Sequence, residues 1–207
     1  MYIPPAFRAA DEAAMHAVMR DAPLASLVTA TAAGLLCTPL PLCLEPGEGE
    51  RGVLYGHLAR ANPHWRAPAE GDTLAIFSGP DAYVTPSWYA TKRETGKVVP
   101  TWNYVAVHAY GPAEFFDDPA RLLAVVTRLT ARHEGGRPAP WAVADAPADF
   151  VAAQLRGIVG LRLPITRLEG KRKMSQNRDA ADRAGVAAGL AAGDAAERRV
   201  AGLIPLD

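Results

Sequence analysis

The chain has 207 residues, 49% of them hydrophobic and 21% charged, with 22 lysines and arginines balancing 22 aspartates and glutamates. That apolar content supports a packed domain and excludes a globally disordered chain. The balance of charge excludes a global electrostatic signature for nucleic acid and leaves only local patches to consider.

The opening "MYIPPAF" is too rich in proline for a helix and reads as an extended arm. Asp11 is a suitable N-cap, with Glu12 in the first turn, for a helix to about Arg20 whose stripe is Ala14, Met15, Val18 and Met19. "LASLVTAT" and "GLLCTPLPLCLE", joined by a turn ending at Gly34, predict a β-hairpin. Cys37 and Cys43 lie in that second run. On one strand they would share a face yet stand too far apart to bridge, so they read as small buried hydrophobes in a reducing compartment.

"VLYGHL" predicts a third strand, and "GDTLAIFSGP" and "DAYVTPSWY" two more, turning at Gly79-Pro80-Asp81. "TKRETGKVVP" reads as a flexible loop and "TWNYVAVHAYGPAEFF" as the longest strand. Pro119 after Asp118 starts a helix, "DAPADFVAAQLRG" predicts another, and "IVGLRLPITRLEGK" returns to strand. The tail from Asp179 is helix-prone but weakened by glycines. The pattern is mainly β with helices, an α+β barrel or sandwich. The expected layout is a 1–178 domain with inserted and flanking helices, and 179–207 as its helical tail.

Three stretches could carry chemistry. In "YGHLARANPHW", a strand is followed by a single turn that Pro63 breaks. Unpaired backbone N–H groups there could face an anion, with Arg60 as a planar fork and His57 and Asn62 as short donors. A plain surface turn is the alternative. Tyr83, Trp88, Tyr89, Trp102 and Tyr104 are five of fifteen aromatics, and either flank a planar ligand or pin strands together in the core. "EGKRKMSQNR" sets Lys171, Arg172, Lys173 and Arg178 beside Ser175, Gln176 and Asn177, either as an anion or nucleic-acid contact or as a solvated loop. His108 reads as a core or interface histidine. No metal-ligand spacing, G-x-S-x-G elbow, GxGxxG or P-loop is present. No apolar run reaches the roughly 20 residues of a membrane span. The N-terminus lacks a signal-peptide core, and a cytoplasmic location is expected.

Six collinear stretches, "MYIPPAF", "LYGHLARANPHW", "GPDAYVTPSWY", "VPTWNYVAVHAYG", "GIVGLRLPITRLEGK" and "KMSQN", together resemble the PaiB family of FMN-binding negative transcriptional regulators. The resemblance implies an FMN-binding split β-barrel, usually a homodimer with flavin sites at the subunit interface. It implies a phosphate-contacting turn at Tyr55, His57, Arg60 and Asn62-Pro63. Trp88, Trp102 and Asn103 would lie near the ring, and Lys173, Ser175 and Gln176 would close the pocket from the same or the other subunit. Pro39 and Arg172 depart from the family, which often has a histidine and an aromatic at these positions. The implied function is FMN-dependent negative regulation of transcription; a flavin reductase or oxidase of the split-barrel group is the alternative. DNA is a conceivable partner that neither charge nor a helix-turn-helix pattern supports.

Overall fold

Local signals set most element boundaries. The computed structural model describes residues 1–9 and 11–206. The N-terminal arm is extended except for one 3₁₀ turn at Pro5–Phe7, and then forms β1 (Arg8–Ala9). Asp11 accepts from the Ala13 N–H at 3.0 Å as α1 (Glu12–Asp21) begins. The hairpin is β2 (Ala25–Thr31) and β3 (Gly34–Leu40), with Ala25 opposite Leu40 and Thr31 opposite Gly34. Gly34 takes a φ of 115°, a conformation that side chains disfavour. Next come β4 (Cys43–Glu45), β5 (Val53–Ala59), a 3₁₀ turn at Pro63–Arg66 and β6 (Thr73–Val84). After a 3₁₀ turn at Pro86–Trp88 the chain forms α2 (Thr91–Thr95), β7 (Thr101–Gly111) and β8 (Glu114–Phe116). The Asp118 carboxylate accepts from the Arg121 N–H at 2.8 Å, capping α3 (Pro119–Glu134). α4 (Ala148–Leu155), β9 (Ile158–Pro164), β10 (Arg167–Lys173), α5 (Ala180–Ala191) and α6 (Ala195–Ala201) complete the order.

Contacts divide the chain into two units. The first joins Met1–Val18, Ser78–Val107 and the residues from Glu169 onward; the second joins Met19–Phe77 and His108–Leu168. β6 and β7 each contribute residues to both. In the first unit the strand order is β1–β10–β7–β6. Its core is Val84, Tyr89, Met174, Val186, Leu190 and Val200, so the helical tail supplies core residues. In the second unit β6, β2 and β3 are neighbours, and β4–β5–β9–β8 form a separate antiparallel sheet. α3 buries Leu122, Val125 and Leu129 against Phe116, Cys43 and Leu155. Each fully buried side chain of this size stabilises the fold by about 1.5–3 kcal/mol.

Several sequence expectations need correction. Gly79-Pro80-Asp81 is not a turn, because β6 runs through it. A Cβ at Gly79 would lie 2.9 Å from Val105 Cβ, so the glycine permits close approach of β7. "TKRETGKVVP" contains the short helix α2, closed by Gly96 in the left-handed region. "GLLCTPLPLCLE" divides at Pro41: β3 and β4 join different strand sets, Cys43 is buried, and Cys37 is exposed rather than buried. The run expected as the longest strand divides into β7 and β8, leaving β6 the longest. The tail glycines serve packing. A Cβ at Gly185 would meet the Trp88 carbonyl at 2.0 Å, and one at Gly189 would meet the indole at 2.3 Å.

Among the described residues no helix is long and apolar enough to cross a membrane, and no cluster of His, Cys, Asp or Glu could hold a metal ion.

Candidate functional site

The expected phosphate turn lies in the second unit. Arg60, at the turn after β5, spends Nε on the Arg156 carbonyl at 2.8 Å and Nη2 on the Ile158 carbonyl at 3.1 Å. Its Nη1 stands 3.6 Å from the Asp117 carboxylate. The fork is therefore turned towards the α4–β9 connection, and its remaining edge faces a negative charge. Asn62 is likewise engaged. Its Oδ1 caps the 3₁₀ turn by accepting from the His64 N–H at 3.0 Å, and its Nδ2 donates to Thr38 Oγ1 at 3.2 Å.

His64, 2% exposed, is wedged between Thr38 Oγ1 at 2.8 Å and Thr29 Oγ1 at 2.9 Å. The Thr29 hydroxyl also meets that of Thr73 at 3.0 Å. This buried chain was not foreseen: three threonines scattered over 45 positions carry no signal in one sequence. Burial pushes the His64 imidazole below the usual histidine range.

His57 shares a strand face with Tyr55 and stands opposite Gly160. A Cβ at that glycine would strike Phe116, which pairs with it from β8. His57 Nδ1 is buried with no hydrogen-bond partner, and burial pushes this imidazole down as well. Burial thus disfavours the charged form that a phosphate would call for. Tyr55 donates to the Glu48 carboxylate at 2.8 Å, and Arg162 holds the same carboxylate at 2.9 Å.

The remaining predicted residues belong to the first unit, on or beside β7 and β10. Trp88 packs against α5, as its contact with Gly185 and Gly189 requires. Trp102 is 53% and Tyr83 46% exposed, and their rings meet edge to face with centroids 6.1 Å apart. Trp102, Tyr104, Gly79 and Asp81 border an open cavity of about 360 Å³.

Strand alternation puts Lys171 and Lys173 on one face of β10. Lys171 is only 8% exposed: it donates to the Tyr2 carbonyl at 3.2 Å, with its ammonium 5.1 Å from the Tyr104 ring centre. Lys173 donates to Thr101 Oγ1 and the Trp102 carbonyl. The Arg178 guanidinium lies 4.5 Å from the Tyr89 ring centre. Burial first, then Lys171 and Arg178, push Lys173 below the ordinary lysine range. Among the described residues none of these three cations is ion-paired to a carboxylate. Lys171 and Arg178 were legible only as part of a basic run; Lys171 joins Lys173 by strand alternation, and Arg178 lies beyond the turn at Ser175. Arg172 alternates to the other face and donates to the Leu203 carbonyl, binding the tail.

Asn103 and Ser175 are buried beneath this face. Asn103 Nδ2 donates to Ser175 Oγ at 3.0 Å, and Ser175 Oγ lies 3.2 Å from Asn103 Oδ1. Gln176 folds back on its own loop: Oε1 accepts from the Met174 N–H and Nε2 donates to the Arg172 carbonyl, both at 2.6 Å. The structure thus brings Trp102, Asn103, Lys173, Ser175 and Gln176 together in one unit. Trp88 lies in the adjoining core, and His57, Arg60 and Asn62 belong to the other unit.

A dianionic phosphate on an aromatic ring system needs uncompensated cations, spare donors and accessible rings. The first unit supplies all three. Lys173 has one ammonium hydrogen left after its two acceptors, and Trp102 offers an open ring.

Comparison with known proteins identifies the family. Residues 1–167 match the family described as "Putative FMN-binding domain". An uncharacterised protein of Emericella nidulans is 34% identical, over 92% of this chain and 90% of its own. The protease synthase and sporulation protein PAI 2 of Bacillus subtilis is 31% identical over 183 residues, 88% of this chain and 85% of its own. Among solved structures, the FAD and heme binding protein from Mycobacterium smegmatis superposes with a TM-score of 0.61 at 18% identity, covering 90% of this chain and 80% of that one. Sequence and fold together make this chain a member of the PaiB family, an α+β split-barrel protein of the FMN-binding type with a flavin as its cofactor.

Proposed function

We propose that this chain is a flavin-dependent regulatory protein that holds FMN by its phosphate on the Lys171, Lys173 and Arg178 face, beside the Trp102 and Tyr104 rings. The observation that carries the reading is a group of three cations that have no carboxylate partner among the described residues, with Lys173 bonded to the carbonyl of the exposed Trp102. Lys173 binds the phosphate with its remaining N–H, and Arg178 adds charge from beyond the turn. Lys171, nearly buried, contributes through its field. Trp102 and Tyr104 orient the ring system and shield it from water on one side. When bound, FMN supplies the redox chemistry of its ring. Arg60, Asn62 and His64 support the fold of the turn after β5.

The regulatory role rests on the family resemblance and on the sporulation and protease-synthesis name of the Bacillus relative. With a net charge of zero, the regulatory output is assigned to the flavin and to partners rather than to a DNA-binding surface. The working unit is proposed as a homodimer. Its support is the terminal strand β3, which leaves Leu35 75% exposed on an unpaired edge. Sedimentation as a monomer at micromolar concentration would remove that part. The openness of the Trp102 and Tyr83 rings also favours a second reading, a flavin reductase or oxidase, because a second reactant could reach the flavin there. Oxidation of NADH or NADPH by the FMN-loaded protein separates the two.

The deciding experiment is an FMN titration of wild type, Lys173→Met and Arg60→Ala, followed by flavin fluorescence. Losing one charge-assisted hydrogen bond is worth about 1.5–3 kcal/mol, so Lys173→Met should weaken binding by roughly ten- to a hundredfold. Folded Arg60→Ala should bind as wild type does. The reverse pattern would move the phosphate to the Arg60 turn.

A further inference from the structure

Among the described residues Ser175 is the only non-glycine with a left-handed backbone, at φ 61°. Serine holds this conformation only when its surroundings require it. Here the requirement is visible. The hydroxyl is 3% exposed and engaged with Asn103, itself 1% exposed, which sits on β7 between Trp102 and Tyr104. On either side of Ser175, Gln176 ties the Met174 N–H to the Arg172 carbonyl, and the Arg178 N–H donates to the Ser175 carbonyl at 2.9 Å. The reversed backbone at Ser175 therefore sets the course of the chain between Lys173, before the turn, and Arg178, after it, whose charge bears on Lys173.

We propose that Ser175 and Asn103 form a latch that positions Lys173 and Arg178 for the flavin phosphate without either touching the cofactor. This rests on the assignment of the phosphate to that face. Both side chains are buried and occupied with each other, which leaves them as supports for the cations rather than as ligands. The strain is local, and the latch holds it in place. Without the hydroxyl the turn relaxes, the two cations separate, and the phosphate loses its convergent donors. The ring contacts of Trp102 and Tyr104 do not depend on the turn.

The test uses FMN and riboflavin, which share the ring and differ by the phosphate. The readout is the ratio of their dissociation constants for wild type, Ser175→Gly and Ser175→Ala, with thermal unfolding run on each. Glycine adopts the left-handed backbone freely and guards against a folding failure. Wild type should prefer FMN over riboflavin at least tenfold. Ser175→Ala should lower that preference at least fivefold while binding riboflavin as wild type does, and Ser175→Gly, which keeps the reversed backbone without strain, should lower it less. A preserved preference in folded Ser175→Ala, or equal losses for both ligands, would overturn the latch. A wild type with no preference would instead overturn the phosphate assignment beneath it.

Discussion

Replacing Arg60 by alanine separates a structural role for this side chain from a ligand-binding one. In the structure the guanidinium joins the end of β5 to the turn between α4 and β9 through the carbonyls of Arg156 and Ile158, at 2.8 and 3.1 Å. The side chain is 36% exposed, so each bond contributes less than a buried charged hydrogen bond, about 1 kcal/mol. The ion pair to Asp117, 3.6 Å long with that carboxylate 73% exposed, adds close to nothing. The Arg60 backbone N–H still reaches the Gly157 carbonyl at 2.8 Å after the substitution, and that bond is retained. The net loss is about 2 kcal/mol, or a melting temperature lower by roughly 4–8 °C for a chain of this size. Urea denaturation followed by tryptophan fluorescence measures it. A variant with unchanged stability and weakened FMN binding would refute the reasoning and identify Arg60 as a phosphate ligand.

Two further outcomes follow from burial and packing. The folded-state pKa values of His57 and His64 are depressed by burial, so the unfolded chain binds more protons below about pH 6.5. Their stabilising contribution is present above that pH and is lost as pH falls through the unfolded value towards the folded ones. The Glu48 carboxyl, held down by Arg162 and Tyr55, adds its own loss only below the carboxylate range. Urea midpoints should therefore fall between pH 7.5 and 5.5, with a smaller fall in His64→Gln; a flat profile would mean that these imidazoles are not desolvated. Gly185→Ala should destabilise despite the helix propensity of alanine, worth about 1 kcal/mol. Its Cβ would lie 2.0 Å from the Trp88 carbonyl, a backbone atom that cannot yield cheaply. Overpacking of this kind costs about 1–3 kcal/mol or more. Gly136→Ala, with nothing within 4 Å, is the neutral control. Equal melting temperatures for the two variants would contradict the packing.

Signals that act over a few residues were legible in the chain itself. The Asp118-Pro119 start of α3 and the hairpin closed at Gly34 each follow from one or two side chains acting on their neighbours' backbone, whereas Pro63, read as a break, begins a 3₁₀ turn capped by Asn62. The collinear stretches that identify the family were also readable, as were Lys173, Ser175 and Gln176 as neighbours in one basic run. What tertiary structure decided was the use of those groups. Gly79 allows β7 to approach instead of making a turn, and Gly185 and Gly189 receive Trp88 instead of weakening the tail, because distant segments occupy the space a Cβ would need. Arg60 was legible as a fork, but its acceptors lie 96 and 98 positions away. The same applies to charge: the proposed role of Lys171, Lys173 and Arg178 depends on a fold in which, among the described residues, none of them meets a carboxylate partner. A list of residues records which charges exist, whereas only the folded backbone determines which of them are neutralised.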